Sequence, residues 1–286
     1  MRATFRSSRS GSAKHNDRSF DLDKAHHIDQ NKTKSNLIQA KDIDKYKTLE
    51  QAEIARYQEL FSDHIKQKQA NYHNRRQYQR EKDYTAEKLY NGRLTKPTET
   101  LYQIGSLQDG SVSPEILVKC FTDFILKCRE QIPNFTNCVK ILSYSLHTDE
   151  ATPHIHERHC FYANGEPSQK KALEIMGFER PDLTKPESQY NNALMTFTNK
   201  CRDLWLQTIT EHEISIEREP LQTHTRKHLT PAEFYYQQEA EIADRLTSAK
   251  QEQERAKDMI EKAKVLVKKT TQLHDSKVRE RDELIR

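Results

Sequence analysis

Three histidines and two acids lie within ten residues of this sequence, in the segment HTDEATPHIH from His147 to His156. His154 and His156 are two positions apart, so on an extended strand their side chains project from the same face. His147 follows a run of strand composition, and residues 148–153 are polar enough to turn the chain. Two neighbouring strands would therefore direct three imidazoles to one point, which is the donor set of a metal site.

The alternative for these histidines is a structural or surface role, which is usual for a single histidine on a strand. Three within ten residues, beside Asp149 and Glu150, do not suit an apolar core, because burying polar groups without partners is costly. We therefore predict a metal centre. In it Glu150 orients a ligand or completes the coordination shell, whereas Asp149 stabilises the turn between the strands.

The elements that position these residues must be built with little apolar material. Of 286 residues, 31% are charged and 34% hydrophobic, which favours a modest core with polar helical arms. The net charge is only +4, so affinity for polyanions must come from local patches. We see no apolar run long enough for a membrane span and no secretory signal, and expect a cytoplasmic protein.

The cysteines are odd in number, widely spaced and without a CxxC pair: Cys120, Cys128, Cys138, Cys160 and Cys201. This pattern argues against a disulfide scaffold and against a cysteine zinc finger. We expect reduced, partly buried thiols.

Hydrophobic periodicity predicts an α+β domain over residues 1–225, with an antiparallel sheet covered on one side by helices. The predicted strands are a short one near Ala3 that is followed by a loop, then Glu99–Ser106, Cys138–His147, His154–Tyr162 and an edge strand at Glu213–Glu217. The predicted helices are Pro114–Arg129, Gln169–Met176 and Asn191–Ile209.

A basic helical insertion is predicted at about 42–95. Its segment 64–84 interleaves cations with tyrosines: Lys66, Lys68, Arg75, Arg76, Arg80 and Lys82 with Tyr72, Tyr78 and Tyr84. The segment suits either a solvated helix face or a DNA-contacting arm, in which cations meet phosphates and tyrosines stack on bases.

A second unit is predicted at 230–286, where no Gly or Pro interrupts a long helix from Pro231 to Arg286. Its apolar positions follow only a weak heptad pattern, since the Ala and Gln positions among them would bury little area. Both a coiled coil, forming a homodimer or binding a partner protein, and a single solvated helix remain open.

A second segment with polar residues that could do chemistry is KHNDRSF, from Lys14 to Phe20, in which Arg18 lies three residues after His15. Together with HTDEATPHIH it resembles the MobV/Pre family of plasmid mobilisation relaxases (plasmid recombination enzymes), which belong to the HUH endonuclease superfamily. His-Asn-x-Arg matches the first motif of that family, and His-x-Asp-Glu-x-x-Pro-His-x-His matches its metal motif at every specified position. The resemblance covers roughly residues 11–20 and 140–170.

The resemblance implies an HUH relaxase-like domain that nicks one DNA strand at a plasmid or mobile-element origin, for conjugative mobilisation or recombination. His147, His154 and His156 would hold one divalent ion, Mn²⁺ or Mg²⁺, acting as a Lewis acid on the scissile phosphate. His15 would form the covalent link to the 5′ phosphate, and Arg18 would position a phosphate oxygen. A tyrosine nucleophile remains open.

Three further polar residues lie near these motifs. Asn36 matches a second family motif only loosely. Arg158 follows His156 on the same strand face, where it would reach DNA phosphate or lie on the surface. His159 has the opposite parity, which predicts that it points away from the metal.

Three other functions stay open. A rolling-circle replication initiator usually has a catalytic tyrosine on a helix after the metal motif, and none is evident. A non-catalytic DNA-binding or recombination accessory protein would not need His15 and Arg18 beside all three histidines. A metal hydrolase of another fold also uses His-x-His with a remote histidine, but lacks the upstream HNDR element.

Overall fold

A computed structural model describes residues 1–25, 27–108 and 110–217, with scattered helical positions between 246 and 264. Contacts between Cα atoms divide the chain into Met1–Leu221 and Gln222–Arg286. The domain boundary at 225–230 remains a prediction. The predicted C-terminal helix and coiled coil lie, apart from the scattered positions, outside the described residues.

Within the described part of the chain, six strands form one antiparallel sheet of order β1-β3-β6-β5-β2, with the short β4 paired to β3. The strands are β1 (Ala3–Ser8), β2 (Leu37–Ala40), β3 (Thr98–Ser106), β4 (Gly110–Ser111), β5 (Val139–His147) and β6 (His154–Phe161). The predicted α+β class with an antiparallel sheet is therefore confirmed.

The helices lie in sequence between and after these strands. They are α1 (Ala13–Asn16), α2 (Leu49–Asn74), α3 (Tyr78–Asp83), α4 (Ala86–Tyr90), α5 (Pro114–Gln131), α6 (Phe135–Cys138), α7 (Gln169–Ile175) and α8 (Ala193–Glu211), with short 3-10 turns at Leu22–Lys24, Thr33–Ser35 and Ile43–Lys45.

Helices cover both faces of the sheet, so the prediction of cover on one side was wrong. On one face Phe124 of α5 and Trp205 of α8 pack against Tyr102 of β3. On the other face Tyr57 and Phe61 of α2 lie in a separate apolar cluster. The central strand β6 is consequently buried at every position, as expected for a strand enclosed by two layers.

Three other segments differ from the prediction. β2 was not predicted, and the loop expected after β1 contains helix α1. The helix predicted through 42–90 is interrupted, because Arg76 adopts a left-handed φ of 57° and ends α2. Residues 214–217 form no strand, although the Glu217 amide donates to the Met1 carbonyl at 2.8 Å.

Side-chain caps explain where the long helices begin. Each long helix begins with a residue whose side-chain oxygen accepts a hydrogen bond from a backbone amide of the first turn. These residues are Thr48 for α2, Ser113 for α5 and Asn192 for α8. In α2 the Leu49 amide also donates to Oδ2 of Asp17 at 2.7 Å. This bond anchors the start of α2 beside α1.

Two expectations from composition concern the cysteines and membrane-spanning helices. All five cysteines are free and buried. Among the described residues, none of the helices has the length and apolarity needed to cross a bilayer.

Candidate active site

The end of β5 and the start of β6 bring three histidines together. His147 pairs with His154 across the two strands, and His156 lies opposite Ser145. The ring centroids are 5.2 Å apart for His147 and His154, 4.9 Å for His147 and His156, and 5.0 Å for His154 and His156. Strand parity and the turn at 148–153 thus place all three imidazoles on one side of the sheet.

Each of these histidines has one ring nitrogen bonded to an oxygen that can only accept. The pairs are His147 Nε2 with the Asn16 carbonyl (3.1 Å), His154 Nδ1 with the Thr152 carbonyl (2.8 Å) and His156 Nδ1 with Glu99 Oε1 (2.8 Å). Because those nitrogens must carry the proton, a neutral ring keeps its lone pair on the other nitrogen. His147 Nδ1 and His156 Nε2 are buried without a hydrogen-bond partner.

Such lone pairs fit a divalent cation, which requires neutral imidazoles as ligands. Burial and, to a smaller extent, the positive charge of Arg18 lower the pKa of His147 to about 2. Burial also lowers the pKa of His154. Both rings are therefore neutral, and competent as ligands, at ordinary pH.

Glu150 contributes a carboxylate to the same cluster. Its Oε1 lies 3.8 Å from His147 Nδ1 and 3.7 Å from His154 Nε2. Burial would raise the pKa of Glu150, but attraction to His154 and a hydrogen bond from Arg18 outweigh it and lower the pKa. The ligand atoms of His147, Glu150 and His154 lie within 4.8 Å of one another.

His15 approaches this cluster from helix α1. Its ring centroid is 5.4 Å from that of His147 and 5.2 Å from that of His156, and its ring stacks on Phe20 at 6.0 Å. Burial lowers the pKa of His15 to about 4, with a further contribution from His156. His15, His147 and His156 also have ligand atoms within 4.8 Å of one another, so His15 is placed either to react or to bind the metal.

An open cleft of about 320 Å³ lies beside His15. It is lined by Arg6, Ser8, Ser10, Gly11, Ser12, Glu99, Leu101 and His156 as well as His15. Hydroxyls and one cation along such a wall are suited to phosphate and sugar oxygens.

Arg18 has partners other than the phosphate that the motif resemblance implied. Its guanidinium donates to Asp149 Oδ2 at 3.0 Å and Oδ1 at 2.6 Å, and to Glu150 Oε1 at 2.8 Å. It also donates to the backbone carbonyl of His15 at 3.0 Å. Arg18 is buried. Because it bonds to both, it joins the helix of His15 to the acidic turn, residues 148–153, which carries Asp149 and Glu150. Asp149 is its partner in that joint.

Asn36, matched only loosely by sequence, supports the same turn. Its Oδ1 accepts a hydrogen bond from the Thr148 amide at 2.8 Å. β2, which follows it, pairs with β5. Asn36 therefore holds the beginning of the turn that carries the acids.

Arg158 is neither exposed nor placed to reach DNA, so both predicted roles were wrong. Its side chain is 4% exposed. It donates to Glu53 Oε1 and Oε2 at 3.0 Å, to Glu99 Oε2 at 3.1 Å and to the Tyr90 hydroxyl at 3.0 Å. His159 points to the opposite face, as its parity predicted, and its Nδ1 contacts Glu157 at 3.1 Å.

Sequence reasoning missed Glu99, whose carboxylate bonds His156. Burial would raise the pKa of Glu99, but hydrogen bonds from His156 and Arg158 and the positive charge of Arg158 outweigh it and lower the pKa to about 2. The sequence does carry one indication of a role for Glu99, since it is the one acid in the predicted strand at 99–106. Its partner was not predictable without knowing that β3 pairs with β6 and sets Glu99 opposite Arg158.

The basic segment runs from the second half of α2, through the turn at Arg75 and Arg76, to α3, and its six cations are exposed. Among the described residues, one of these six cations forms a salt bridge: Nζ of Lys66 lies 4.0 Å from Oδ1 of Asp63. The segment therefore presents cations to solvent, which suits both interpretations given above.

Comparison with known proteins yields structural similarity only. No family model matches the sequence, and no curated protein matches it. Among solved structures, the chain is similar to the Mn-bound MobM relaxase domain (MOBV; Mob_Pre) with plasmid pMV158 oriT DNA. One such structure at pH 6.8 has 17% identity and a TM-score of 0.45, covering 82% of this chain and 98% of that chain. Another, at pH 4.6, has 16% identity and a TM-score of 0.46, covering 82% and 100%.

Proposed function

We propose that this chain is a relaxase that nicks one strand of DNA at a plasmid or mobile-element origin, by metal-assisted transesterification with His15 as nucleophile. The observation that supports this most is the position of His15. It comes from a separate helix, contacts two of the three clustered histidines and borders an open cleft. The two sequence motifs, HNDR and HTDEATPHIH, point the same way.

His147, His154 and His156, with Glu150, would hold one divalent ion. When bound, the ion withdraws charge from the scissile phosphate and so stabilises the transition state. Three imidazoles with one carboxylate suit Mn²⁺ better than Mg²⁺, which prefers an all-oxygen shell.

The reaction needs His15 as a neutral imidazole, and its lowered pKa of about 4 provides that form at neutral pH. A lone pair of the ring attacks phosphorus; the N–P bond forms as the P–O3′ bond breaks. The ring loses its remaining N–H proton to solvent, and the departing 3′ oxygen takes up a proton. Attack by the 3′ hydroxyl on the same phosphorus reverses the reaction and rejoins the strand.

Arg18 would contribute by position. It donates to the carbonyl of His15 at 3.0 Å, and its Nη1 lies 3.3 Å from His15 Nε2. The same guanidinium holds Glu150. The nucleophile and the acidic turn are thereby kept in one arrangement before DNA binds.

DNA is the proposed partner, with the cleft taking the strand at the reacting phosphate and segment 64–84 making further phosphate contacts. A homodimer or partner protein at the C-terminal helix, and a cytoplasmic location, remain predictions.

One observation favours a second function. Because His15, His147 and His156 lie within ligand distance of one another, His15 could serve as a fourth imidazole ligand. The nucleophile would then be water, and the chain would be a metal hydrolase that forms no covalent link to DNA.

The test is nicking of supercoiled DNA that bears a candidate origin, with Mn²⁺ or with chelator. His15→Ala should abolish nicking and retain Mn²⁺ binding, whereas His154→Ala should lose both. His27→Ala, at an exposed turn position, is the control and should retain both. The nicked strand should carry the protein on its 5′ end through an acid-labile bond.

Two outcomes would contradict the proposal. Nicking by the His15→Ala variant would remove the nucleophile assignment. Loss of Mn²⁺ binding in that variant, together with free 5′ ends, would favour the hydrolase.

A further inference from the structure

Glu99 is the point at which three separately placed parts of the site meet. It lies on β3, is 11% exposed in its side chain, and bonds to residues of α1 and β6. None of these residues is near it in sequence: the partners lie 57, 59 and 83 positions away. Its contacts therefore depend wholly on the fold.

The first contact is with a candidate metal ligand. Oε1 of Glu99 accepts a hydrogen bond from Nδ1 of His156 at 2.8 Å. That bond leaves Nε2 of His156, which is buried and without a partner, as the nitrogen with the free lone pair. A carboxylate behind a ligating imidazole fixes the ring and increases its basicity.

The second contact is with the helix that carries His15. The Asn16 amide nitrogen donates to Oε2 of Glu99 at 3.0 Å. Asn16 is itself fully buried, and its backbone carbonyl accepts from Nε2 of His147. One residue next to His15 is thus bonded both to Glu99 and to a second candidate ligand.

The third contact anchors Glu99 from behind. Nη1 of Arg158 donates to Oε2 of Glu99 at 3.1 Å, while its Nε donates to Glu53 on α2. Glu53 also accepts from the Ser143 hydroxyl at 2.5 Å and the Tyr90 hydroxyl at 2.8 Å. The guanidinium therefore has carboxylates on both sides and cannot shift without breaking several bonds.

Gly11 lies directly against the side chain of Glu99. A Cβ atom added to Gly11 would overlap the Cβ, Cδ and Oε2 atoms of Glu99. Only glycine allows the β1–α1 connection to pass so close to the carboxylate. The connection, the helix and the strand are all packed around one acid.

We propose that Glu99 is a positioning residue that orients His156 for the metal and sets the His15 helix against it. This inference rests on the proposed function, since it assumes that His156 binds a cation. A plain structural alternative exists: Glu99 could serve only as the counter-ion of buried Arg158. That alternative predicts a loss of folding stability without a specific loss of metal affinity.

Two carboxylates on this sheet allow a matched comparison. The side chains of Glu99 and Glu157 are 11% and 3% exposed, and each contacts Nδ1 of a histidine on β6, but Glu157 contacts His159 on the opposite face. Glu99→Gln and Glu157→Gln each replace one buried carboxylate by an amide of the same shape. Only the first change alters a residue behind a candidate ligand.

The experiment measures Mn²⁺ affinity from the electron paramagnetic resonance signal of the free ion, and thermal unfolding of the metal-free proteins by circular dichroism. Glu99→Gln should weaken Mn²⁺ binding by about 10–100-fold, the usual effect of removing such a partner. Glu157→Gln should leave the Kd for Mn²⁺ unchanged. Gly11→Ala, which displaces Glu99 without changing any charge, should weaken Mn²⁺ binding in the same direction.

The result that overturns the inference is a Kd for Mn²⁺ in a folded Glu99→Gln protein equal to that of the wild type. Equal weakening by Glu99→Gln and Glu157→Gln would also overturn it, because the effect would then follow from reduced stability. If Glu99→Gln does not fold, Gly11→Ala decides alone. Failure of the wild type to bind Mn²⁺ would instead contradict the proposed function.

Discussion

The guanidinium of Arg18 holds the carboxylate of Asp149 through two hydrogen bonds, of 3.0 and 2.6 Å, across 131 positions of sequence. Both side chains are almost fully buried, at 4% and 0% exposure. Planar, bidentate pairing of this kind gives direction as well as energy. The pair joins the helix of His15 to the turn between the histidine strands, so it is a structural link on which both halves of the site depend.

Breaking that link should cost stability. Asp149→Asn removes the main counter-charge of Arg18, and losing one partner of a buried pair should lower the free energy of unfolding by about 3 kcal/mol. Urea denaturation followed by circular dichroism measures this. The control is Asp42→Asn, which removes an exposed partner of Lys45 and should leave the unfolding free energy unchanged. Equal effects of the two variants would contradict a special role for Arg18 and Asp149.

Mn²⁺ should stabilise the folded protein. An ion that binds only the folded state at about 100 times its Kd adds about 2.7 kcal/mol to the unfolding free energy. The melting temperature of the wild type should therefore rise with Mn²⁺ and fall again when chelator is added, as measured by differential scanning fluorimetry. His154→Ala should show neither change. A rise of the same size in His154→Ala would place the ion elsewhere.

The basic segment should contribute to DNA affinity by neutralising phosphates. Lys68→Gln with Arg80→Gln should weaken binding of an origin oligonucleotide. It should also reduce the slope of log K against log salt by about 0.7 for each single-strand phosphate that is no longer neutralised. Fluorescence anisotropy at several salt concentrations measures both. Lys119→Gln with Arg129→Gln, exposed on α5, removes the same charges and should change neither. An unchanged slope in the first variant would indicate a solvated helix face.

The cysteines should be unreactive until the protein unfolds. Burial raises the pKa of Cys120 to about 11 and that of Cys160 to about 12. Because a raised pKa keeps the group as a neutral thiol, these residues should react slowly at pH 8 and gain reactivity only as the pH approaches those values. Ellman's reagent should detect all five cysteines in urea and few in the native protein. Rapid reaction of the native protein would show that the thiols are accessible.

Much of the sheet followed from local patterns. The predicted strands at 99–106, 138–147 and 154–162 differ by one residue at an end from β3, β5 and β6. The predicted helix from Pro114 differs by two residues at its end from α5. Alternation and amphipathic spacing are properties of neighbouring residues, so they can be read without the rest of the chain. β2 escaped prediction because it has only four residues.

The candidate site divides in the same way. Residue types and spacing alone determined that His147, His154 and His156 share one side of two paired strands, because strand parity is strictly local. They could not determine what lies behind each imidazole. The bonds of His156 to Glu99, of Arg18 to Asp149 and of Arg158 to Glu53 join residues 57, 131 and 105 positions apart. Such pairs are set by the register of β3 on β6 and by the packing of α1 and α2 on the sheet, and these are decided only when the whole chain folds.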